Sequence, residues 1–583
     1  MPGFYVSNTK NDIELRDVYR NKLVREAIPC ERIGTVKRNT LNKFMDDKAF
    51  YTDKKYIIVL DGYLLNKKDL LLQYGASDVA TLIRKMYEKC GNTFFEDFRG
   101  CFAGAFIDKV QDKWIVFTNQ IGDNPIFYYE KDGIFAAGSE VKYVLEMCHA
   151  LDLKLTFNED AAYQMLTYAF MAADDTYAKE IKRLHGGDYL LRENGVLSVK
   201  QYHRFHSDTE RFKGYSEEEL IDAIDENFRN AVQLEWAKDD EYEYEHLADL
   251  SGGLDSRMNL WVAHEMKPIH ANVLTYSQAG YLDQTISEQI AYYWKDELIF
   301  KPLDDATFLY DIDIATELLG GGGSLYAGIT GGRRLLAFAN LDHYGIEHTG
   351  MVGDAILGSF YHNAHEMENK TPTGRYSEKL AARLPQKITE LPENYDNYEI
   401  YLMYVRGFHG ACNSHLIRRN YTEVGSPFLN VEFMQMCYDI PVEMRMNHDL
   451  YKKWIIKKYP KAADFKWEKI ADKITTPEIL IQLRSLSKRI PRKIKKIMGM
   501  NVVDKKGMNP LDYWIHTNQP LRDYMDSYEK VGHSYLPESV SEALKKDMHD
   551  LYENGNANEK TMVLTVLSSA RLFFGENRWR KSN

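Results

Sequence analysis

The amino-acid sequence predicts an α/β protein with at least two domains, the second of them built on a parallel sheet. A chain of 583 residues is too long for a single hydrophobic core. Residues 1–205 read mainly as strands and turns, and from residue 218 onward strands alternate with helices. That alternation is typical of a parallel sheet with helices on both faces. The rest of the chain, up to Asn583, is dominated by helical patterns.

The strands predicted in the first part are short β-rich runs separated by Gly, Asp and Asn. They are residues 56–60, 104–108, 114–118 and 126–129. Polar residues 206–217 are predicted to form a linker. Domain bounds of 1–205 and 218–583 are therefore expected.

The second part is predicted to open with a helix over residues 218–236. An apolar run ending at Leu250 predicts a strand, and residues 273–277 predict another. A helix through Glu288 and Ala291 is expected to follow the second strand.

Composition excludes several classes of protein. Hydrophobic residues make up 44% and charged residues 27%, with a net charge of −12, which gives no global attraction to nucleic acid. No run of about 18 apolar residues predicts a membrane span, and the start lacks a signal-peptide pattern. The six cysteines lack C-x-x-C spacing, which suits reduced thiols. We expect a cytoplasmic protein without nucleic-acid or membrane partners.

The stretch 247–257, Leu-Ala-Asp-Leu-Ser-Gly-Gly-Leu-Asp-Ser-Arg, is the most informative. A strand, a glycine-rich turn and a helix N-terminus together present unpaired backbone N–H groups to an anion. The two glycines remove Cβ atoms that would keep a phosphate away. Ser251 and Ser256 add hydroxyl donors, and Asp255 offers a hard oxygen ligand for Mg²⁺. For the SGG alone, the turn of any α/β protein is the alternative.

The full SGGLDS string resembles the pyrophosphate-binding loop of ATP pyrophosphatases, which cleave ATP between the α- and β-phosphates. It lacks the G-x-x-x-x-G-K-[ST] pattern, so γ-phosphate chemistry is disfavoured. The residues predicted to bind ATP or pyrophosphate are Leu250, Ser251, Gly252, Gly253, Leu254, Asp255, Ser256, Arg257, Ser277 and Gly353.

Several strings, in matching order over nearly the whole chain, resemble the asparagine synthetase type B family. They are residues 61–66, 77–78, 95–103, 122–129 and 138–142 in the first half, and SGGLDS, 350–358 and 427–430 in the second. The resemblance implies an N-terminal αββα-type glutaminase-like sandwich, then a parallel-sheet ATP pyrophosphatase domain with a helical C-terminal part. It also implies ATP as a substrate and Mg²⁺ as a cofactor.

The first half departs from the family where glutamine would be hydrolysed. The resemblance implies a nucleophilic cysteine at residue 2, but this residue is Pro2. The Asn and Glu of the family's N-G-E are Asp61 and Tyr63, and its R-D is Thr118-Asn119. A carboxylate cannot donate to a developing oxyanion. We predict that this domain does not hydrolyse glutamine and instead packs on the synthetase domain, shapes the substrate entrance or forms a homodimer.

The second half resembles β-lactam synthetases and lasso-peptide cyclases, which adenylate a carboxylate and let an amine close on it. The family's glutamate three residues before the Mg²⁺ aspartate is Met351, which cannot accept a proton, so a general base would lie elsewhere. Asp354 is kept and is expected to bracket Mg²⁺ together with Asp255. A helix N-cap after Gly353 is the alternative role for Asp354.

The family places a lysine between the adenylate and the attacking amine. Lys469 and Lys473 are the candidates, and Lys473 is preferred because its K-x-x-x-P is nearer to the family's K-G-F-x-x-P. Two surface lysines on a loop are the alternative.

Three further features remain open. Arg333 and Arg334, in the glycine-dense segment 320–334, either bind a phosphate or carboxylate or belong to a flexible loop. Arg257 either reaches a phosphate or forms an outward salt bridge. The basic segment 488–496 is either a docking site for an acidic partner or, preferably, a solvated amphipathic helix face.

The function predicted is an ATP-dependent, AMP-forming carbon–nitrogen ligase that adenylates a small-molecule or peptide carboxylate. The amine would not derive from glutamine. A retired synthetase acting as a binding or scaffold protein, an amide ligase using free ammonia, and a nucleotide-modifying or sulfur-transferring enzyme are the alternatives.

Overall fold

Two antiparallel six-stranded sheets, one parallel five-stranded sheet and a helical C-terminal part make up the structure. It is a computed structural model that describes residues 2–10, 13, 23–30, 33–324, 331–481, 505 and 507–575. The predicted fold class is confirmed.

The first part is an αββα sandwich. One sheet has the strand order β10-β8-β9-β1-β3-β2 and the other β12-β11-β7-β6-β5-β4. Neighbouring strands in both sheets run antiparallel. The strands are β1 (Gly3–Ser7), β2 (Leu23–Cys30), β3 (Gly34–Leu41), β4 (Ala49–Thr52), β5 (Tyr56–Leu64), β6 (Gly100–Asp108), β7 (Lys113–Thr118), β8 (Phe127–Lys131), β9 (Ile134–Gly138), β10 (Ile181–Arg183), β11 (Asp188–Glu193) and β12 (Val196–Gln201).

Alternation along the strands divides their side chains between two cores. Phe4 and Val6 of β1 join Ile57 and Val59 of β5 in the core between the sheets. The intervening Tyr5 faces the opposite way, into a core with helices α3 (Val141–Ala150) and α4 (Glu159–Tyr168). The outer face of the other sheet packs on α1 (Lys67–Tyr74) and α2 (Val79–Cys90).

The second part carries the parallel sheet, in the order β15-β14-β13-β16-β17. A capping box at Ser216 starts its first helix, so this helix begins at Glu217. Apolar cores lie on both faces of the sheet. Its strands are β13 (Glu245–Asp249), β14 (Ala271–Ser277), β15 (Glu297–Pro302), β16 (Tyr344–His348) and β17 (Glu423–Gly425).

Helices connect and cover these strands and lead to a small hairpin of β18 (Lys466–Trp467) and β19 (Asp472–Lys473). The segment Met403–Ala411 is a π-helix. The α-helices are α5 (Glu217–Glu241), α6 (Asp255–Met266), α7 (Leu282–Trp294), α8 (Ile312–Leu318), α9 (Arg333–Phe338), α10 (Gly353–Gly358), α11 (Ala364–Glu368), α12 (Gln386–Thr389), α13 (Tyr398–Leu402), α14 (Asn413–Arg418), α15 (Val431–Asp439), α16 (Val442–Arg445), α17 (Asp449–Lys458) and α18 (Pro460–Ala463).

The C-terminal part adds helices that pack back on the first part of the chain. They are Leu511–Thr517, Gln519–Gly532, Glu542–Asn554 and Ala557–Phe574. The last of these shares one apolar core with α3 and α4, so the core of residues 1–205 is continuous with residues far beyond 218. The proposed domain bounds stay a prediction. Among the described helices, none combines the length and the apolar character needed to cross a membrane.

Candidate active site

The predicted anion loop connects β13 to α6 and is closed by its own hydroxyl groups. The Ser251 N–H donates to Ser256 Oγ at 3.0 Å, and the two hydroxyl oxygens are also 3.0 Å apart. The Gly253 N–H donates to Ser251 Oγ at 3.1 Å. The loop is thus held as a tight turn that leads into the N-terminus of a twelve-residue helix. Such an end favours a negatively charged ligand.

Glycines allow two other segments to approach this loop. A Cβ on Gly252 would lie 2.7 Å from Glu468 Cβ, and a Cβ on Gly350 would lie 2.2 Å from the backbone nitrogen of Ser256. Because such contacts are too short for carbon, only glycine permits the observed packing of the turn before α10 against the start of α6. The next-but-one residue, Val352, has a φ of 57°, a left-handed conformation that β-branched residues rarely adopt.

Asp255 and Asp354, the two predicted metal ligands, lie side by side. Asp255 Oδ2 accepts a hydrogen bond from the Asp354 N–H at 2.9 Å, and its Oδ1 accepts one from Tyr451 Oη at 2.9 Å. The Asp354 side chain is 57% exposed, and its Oδ2 lies 3.8 Å from His448 Nε2. The structure therefore brings together two carboxylates from the ends of different strands.

The two carboxylates have opposite pKa shifts. Burial and the neighbouring Asp354 charge raise the pKa of Asp255 well above its ordinary value. Desolvation also acts on Asp354, but His448, Lys469 and Arg406 hold its pKa below the ordinary value. The negative charge of Asp255 is therefore unfavourable in this environment, and a cation bound beside it would stabilise that charge.

A cavity of about 280 Å³ opens beside the loop at the carboxyl ends of the parallel strands. Ligands of open α/β sheets bind in this place. The predicted residues Leu250, Ser251, Gly253, Asp255 and Ser256 line it. Other lining residues, which the sequence did not indicate, include Thr275, Tyr276, Thr349, Arg418 and Met508.

A second cavity, of about 440 Å³, lies next to the first. Met351, Val352 and Ser414 line both, so they form the boundary between the two cavities. Asp354 and Lys469 belong to the lining of the larger cavity. A phosphate bound at the loop and an acid bound in the larger cavity would meet at this boundary.

The structure places Lys469, rather than Lys473, at the larger cavity. Lys469 Nζ lies 5.5 Å from the Trp467 ring and contributes to the low pKa of Asp354. Lys473 pairs with Asp464 at 3.2 Å and is absent from the described lining of the cavity. Lys469 lies in the turn between β18 and β19, whereas Lys473 lies in β19, so the geometry favours Lys469 over the lysine that the K-x-x-x-P spacing preferred. A catalytic role for either lysine stays a prediction.

Arg257 does not line the cavity beside the loop. Its guanidinium is fully buried and donates to the backbone carbonyl groups of Ala462 and Phe465 at 3.1 and 3.2 Å, and also to those of Gly252 and Lys466. Arg257 thus holds the loop against the segment that leads into β18. This structural role differs from both predicted alternatives, a phosphate contact and an outward salt bridge.

Four other predicted residues support the loop from behind. Ser277 is buried and donates to the carbonyl of Gln278, and Leu254 is buried in the core. The Gly252 N–H donates to Asp283 Oδ1 at 3.0 Å. Gly353 starts α10 beside Asp255, where a Cβ would lie 2.9 Å from the Asp255 carboxyl carbon. These residues hold the site without lining the described cavity.

The two arginines at the end of the glycine-dense segment form ion pairs within the protein. Arg333 pairs with Asp311, and Arg334 donates to both oxygens of the same carboxylate at 2.9 Å. The start of the segment is packed, since Gly322 accepts hydrogen bonds from the Met171 N–H and from Asn413. Residues 325–330 and the basic segment 488–496 lie outside the described residues.

Side chains from remote segments complete the larger cavity. Arg406 of the π-helix, His448 and Ser414 all line it, and none belongs to a sequence string that predicted a site. His448 precedes α17 with a φ of 61°, and Nε2 of its buried ring has no hydrogen-bond partner among the residues that the structure describes. The short spacing of Gly407 and Gly410 in the π-helix is a sequence signal that another segment can approach the helix closely at this cavity.

Buried ion pairs occupy the region of the first part that resembles a glutamine site. Lys48 Nζ lies 3.7 Å from Asp61 and 2.9 Å from Glu423, which belongs to β17. Against the desolvation of burial, Lys48 and Arg38 hold the pKa of Asp61 below its ordinary value. Tyr63 Oη donates to the Val424 carbonyl at 3.1 Å. Both substituted residues thus tie the sandwich to the parallel sheet.

The other substituted positions are also engaged. Thr118 Oγ1 donates to the Asn124 carbonyl, and Asn119 Nδ2 donates to Asp123 Oδ1 at 2.7 Å. The Cys101 thiol donates to the same carboxylate at 3.5 Å. A cavity of about 40 Å³ remains there, which holds a few water molecules at most.

Similarities to known proteins agree with this architecture. Residues 45–203 match a family described as the glutamine amidotransferase domain. A putative glutamine-hydrolysing asparagine synthetase 2 of Methanocaldococcus jannaschii is 23% identical over 287 residues, 46% of this chain and 54% of that protein. The glutamine-hydrolysing asparagine synthetase B of Escherichia coli is 23% identical over 217 residues, 35% of this chain and 31% of that protein. The matched region thus spans about half or less of these relatives.

The glutamine phosphoribosylpyrophosphate amidotransferase of B. subtilis, solved with ADP and GMP, is 10% identical over 48% of this chain and 60% of that chain, with a TM-score of 0.21. Over part of its length the chain is thus similar to glutamine-hydrolysing asparagine synthetases, and its residues 45–203 are similar to glutamine amidotransferase domains.

Proposed function

We propose that this protein is an ATP-dependent, AMP-forming carbon–nitrogen ligase. It adenylates a carboxylate substrate, releases pyrophosphate, and transfers the acyl group to an amine that does not come from glutamine. The observation that carries the proposal is the pair of adjoining cavities, which share Met351, Val352 and Ser414 and have Asp255 and Asp354 at their boundary.

The smaller cavity is the proposed site of ATP. The β- and γ-phosphates lie against the Ser251–Ser256 turn and the N-terminus of α6, which favour negative charge. The α-phosphorus then faces the boundary with the larger cavity. A carboxylate oxygen attacks it, and the bond to the bridging oxygen of pyrophosphate breaks. Residues 251–257 contain no lysine that could assist transfer of the γ-phosphoryl group.

The two aspartates suit Mg²⁺. Their oxygens are hard ligands, and burial together with the neighbouring Asp354 charge raises the pKa of Asp255, an effect that a bound cation would oppose. When bound, Mg²⁺ supplies positive charge next to the departing pyrophosphate. Tyr451 and the Asp354 N–H each bind one oxygen of Asp255 and so fix the direction in which this carboxylate can act.

The larger cavity is the proposed site of the acid and the amine. Lys469 is exposed to it and close enough to Asp354 to lower the pKa of that carboxyl group. Its ammonium is placed to offset the negative charge that grows as the amine nitrogen attacks the acyl carbon and AMP leaves. Orientation and charge stabilisation are the main tasks, because adenylation has already made a good leaving group.

The first part is proposed to be a structural domain without glutaminase activity. Pro2 immediately before β1 has no nucleophilic side chain, and Asp61 is paired with Lys48 instead of offering an amide donor. Tyr63 extends to the Val424 carbonyl, and the space beside it, about 40 Å³, is small for an amino acid. These contacts hold the two halves together and leave the amine to enter as a separate substrate.

Trapping of an acyl-adenylate tests this proposal. The protein is incubated with Mg·ATP and a panel of carboxylic acids, without amine, and hydroxylamine is added to convert any acyl-adenylate to a hydroxamate. We expect hydroxamate, AMP and pyrophosphate with at least one acid. Exchange of labelled pyrophosphate into ATP should depend on the same acid. Tight ATP binding without exchange for any acid would instead favour a retired synthetase that acts as a scaffold.

A further inference from the structure

Arg406 is a cation in the larger cavity that the proposed chemistry does not use. It lies in the π-helix Met403–Ala411, whose residues Gly407, Gly410 and Ala411 also line the cavity. π-Helical turns are uncommon and occur often at functional sites. The helix thus directs a long basic side chain towards the space proposed for the acid.

Among the described residues, no carboxylate pairs with the Arg406 guanidinium. The guanidinium lies over the Phe360 ring, whose centroid is 5.6 Å from Cζ. By contrast, Arg418 in the neighbouring cavity pairs with Asp249 at 2.6 Å and also with Glu347. Arg418 is neutralised by the protein, whereas the planar donor fork of Arg406 is left for a ligand.

The charges around the larger cavity support the same assignment. Arg406 and Lys469 line it, and Asp354 is the carboxylate among its described lining residues. Lys469 is assigned to the reacting centre, and Asp354 to the cation that accompanies ATP. Arg406 therefore remains as a surplus positive charge for an anionic group other than the reacting carboxylate.

The walls of the cavity indicate the body of the ligand. Phe170, Phe360 and Tyr376 contribute rings, and Val352, Ala355 and Ala411 contribute small apolar groups. A volume of about 440 Å³ falls in the range of pockets that hold drug-sized ligands. A ligand with an apolar or aromatic body fits these walls. The Arg406 guanidinium, which lies over the Phe360 ring, would contact the edge of such a ligand.

We propose that the acid substrate has an apolar, ring-bearing body and a second anionic group, which Arg406 binds. This inference rests on the proposed function, which supplies the reacting carboxylate. The contact between Arg406 and the second anionic group is separate from that reaction. The second group is a carboxylate or a phosphate-like group, since a guanidinium binds either through two parallel hydrogen bonds.

Four defined probes test the two parts of the proposal by binding alone. Benzylsuccinate carries a ring and two carboxylates, 4-phenylbutanoate has the same body with one carboxylate, and succinate has two carboxylates without the ring. The fourth, 4-phenyl-3-phosphonobutanoate, replaces the second carboxylate by a phosphonate. Calorimetry on the full-length protein with a non-hydrolysable ATP analogue and Mg²⁺ measures each affinity. We expect the better of the two ring-bearing dianions to bind at least about tenfold more tightly than either of the incomplete probes.

Variants connect this preference to Arg406. Arg406→Gln should reduce the affinity of the ring-bearing dianions to that of 4-phenylbutanoate and leave the ATP analogue within about twofold. Arg406→Lys should retain part of the preference, because it keeps the charge without the planar fork. Arg211→Gln is the matched control, because Arg211 is exposed, pairs with Asp439 and is not part of the described lining of the cavity. Thermal melting of each variant checks that the protein is folded.

Several outcomes would overturn the inference. The first is that benzylsuccinate binds no more tightly than 4-phenylbutanoate and the phosphonate gives no gain either. The second is that no ring-bearing dianion binds. The third is that a folded Arg406→Gln protein keeps the same preference as the wild type. The relative affinities of benzylsuccinate and the phosphonate decide between a carboxylate and a phosphate-like group. Because binding is measured without turnover, an intact Arg406-dependent preference with no pyrophosphate exchange would contradict the proposed function and leave this contact standing.

Discussion

Asp255 accepts a hydrogen bond from the backbone N–H of Asp354, 99 residues away in the sequence, at 2.9 Å. This bond joins the first turn of α10 to the first residue of α6. The loop that leads into α6 and the wall of the larger cavity are therefore held in one fixed relationship. Tyr451 holds the other oxygen of Asp255, so three segments meet at one carboxylate.

Removal of charge at this carboxylate should abolish adenylation. We expect Asp255→Asn and Asp354→Asn each to lower acid-dependent pyrophosphate exchange by at least about 100-fold, since each removes one ligand charge from the proposed Mg²⁺ site. The asparagine oxygen can still accept the bond from residue 354, so melting temperatures should change little. Asp449→Asn, at an exposed residue paired with Lys452, is the matched control and should keep normal exchange. Near-normal exchange in Asp255→Asn would show that the metal assignment is wrong.

The two lysines near the hairpin should differ sharply in their effects. Lys469→Met is expected to lower amide formation by at least about 100-fold, because it removes the ammonium that faces the boundary of the cavities. Lys473→Met should stay within about twofold of the wild type, because this lysine pairs with Asp464 outside the cavity. Initial rates with a saturating acid and amine make the comparison. The opposite order of effects would restore the preference that the sequence spacing suggested.

The sequence was sufficient to predict the elements on which the site is built. β-Rich runs bounded by Gly, Asp and Asn located β5 to β8, apolar runs located β13 and β14, and a helical pattern located α5. The anion loop was predictable because strand, glycines and helix start are contiguous in the chain. These features depend on neighbouring residues, and local sequence is informative about them.

The lining of the larger cavity was not predictable in the same way. Arg406 and His448 come from segments without a recognisable string, and their position depends on how the C-terminal half packs. Arg257 was assigned to a phosphate from its place in the loop, but a helix presents successive residues on different faces, and this one points into the core. The alternatives for Arg333 and Arg334 omitted a third one, a structural ion pair with Asp311.

Glutamine should not serve as a nitrogen donor. Incubation with glutamine, with or without Mg·ATP and acid, should release no glutamate above a protein-free blank. The physical reason is that Asp61 and Tyr63 are engaged with Lys48 and Val424 where the family has a donor and a carboxylate. Glutamate release that scales with protein concentration would mean that another nucleophile replaces the one expected before Gly3.

The same residues should matter for stability. Asp61→Asn leaves the buried Lys48 with Glu423 as its one paired carboxylate among the described residues, beside hydrogen bonds to Thr40 and the Leu41 carbonyl, and should destabilise the fold by roughly 1–3 kcal/mol. Asp132→Asn, at an exposed position between β8 and β9, is the matched control and should be neutral within about 0.5 kcal/mol. Denaturant melts compare the two variants. An equal, negligible effect of both would show that the Lys48–Asp61 contact does not stabilise the two halves.

His348 should make part of the stability dependent on pH. Although burial opposes its charge, the Asp239 and Glu235 carboxylates raise the pKa of His348 from 6.5 to about 9. Its ring nitrogens lie 2.8 and 2.9 Å from these groups. A raised folded-state pKa stabilises the fold fully below pH 6.5, and this contribution is lost as the pH rises through 9. It amounts to about 3 kcal/mol at most.

Melting temperatures between pH 6 and pH 10 test this relationship. The difference between the wild type and His348→Gln should be largest near pH 6 and should shrink above pH 8. His343→Gln is the control, because His343 is exposed and immediately precedes β16, the strand that ends at His348. This variant should show no such trend. A gap that stays constant over the whole range would mean that His348 is neutral in the folded protein.

ATP should be split to AMP and pyrophosphate, never to ADP and phosphate. In the proposed binding mode, the loop before α6 holds the β- and γ-phosphates as a leaving group, and the α-phosphorus lies near Met351, which lines both cavities. A γ-phosphoryl transfer would need a cation at the far end of the triphosphate, and residues 251–257 contain no lysine, while Arg257 is committed to backbone carbonyls of the core. Separation of the nucleotides after a single turnover with acid and amine measures the product. Equal amounts of AMP, pyrophosphate and amide are expected, and ADP as the nucleotide product would contradict both the mechanism and the assignment of the two cavities.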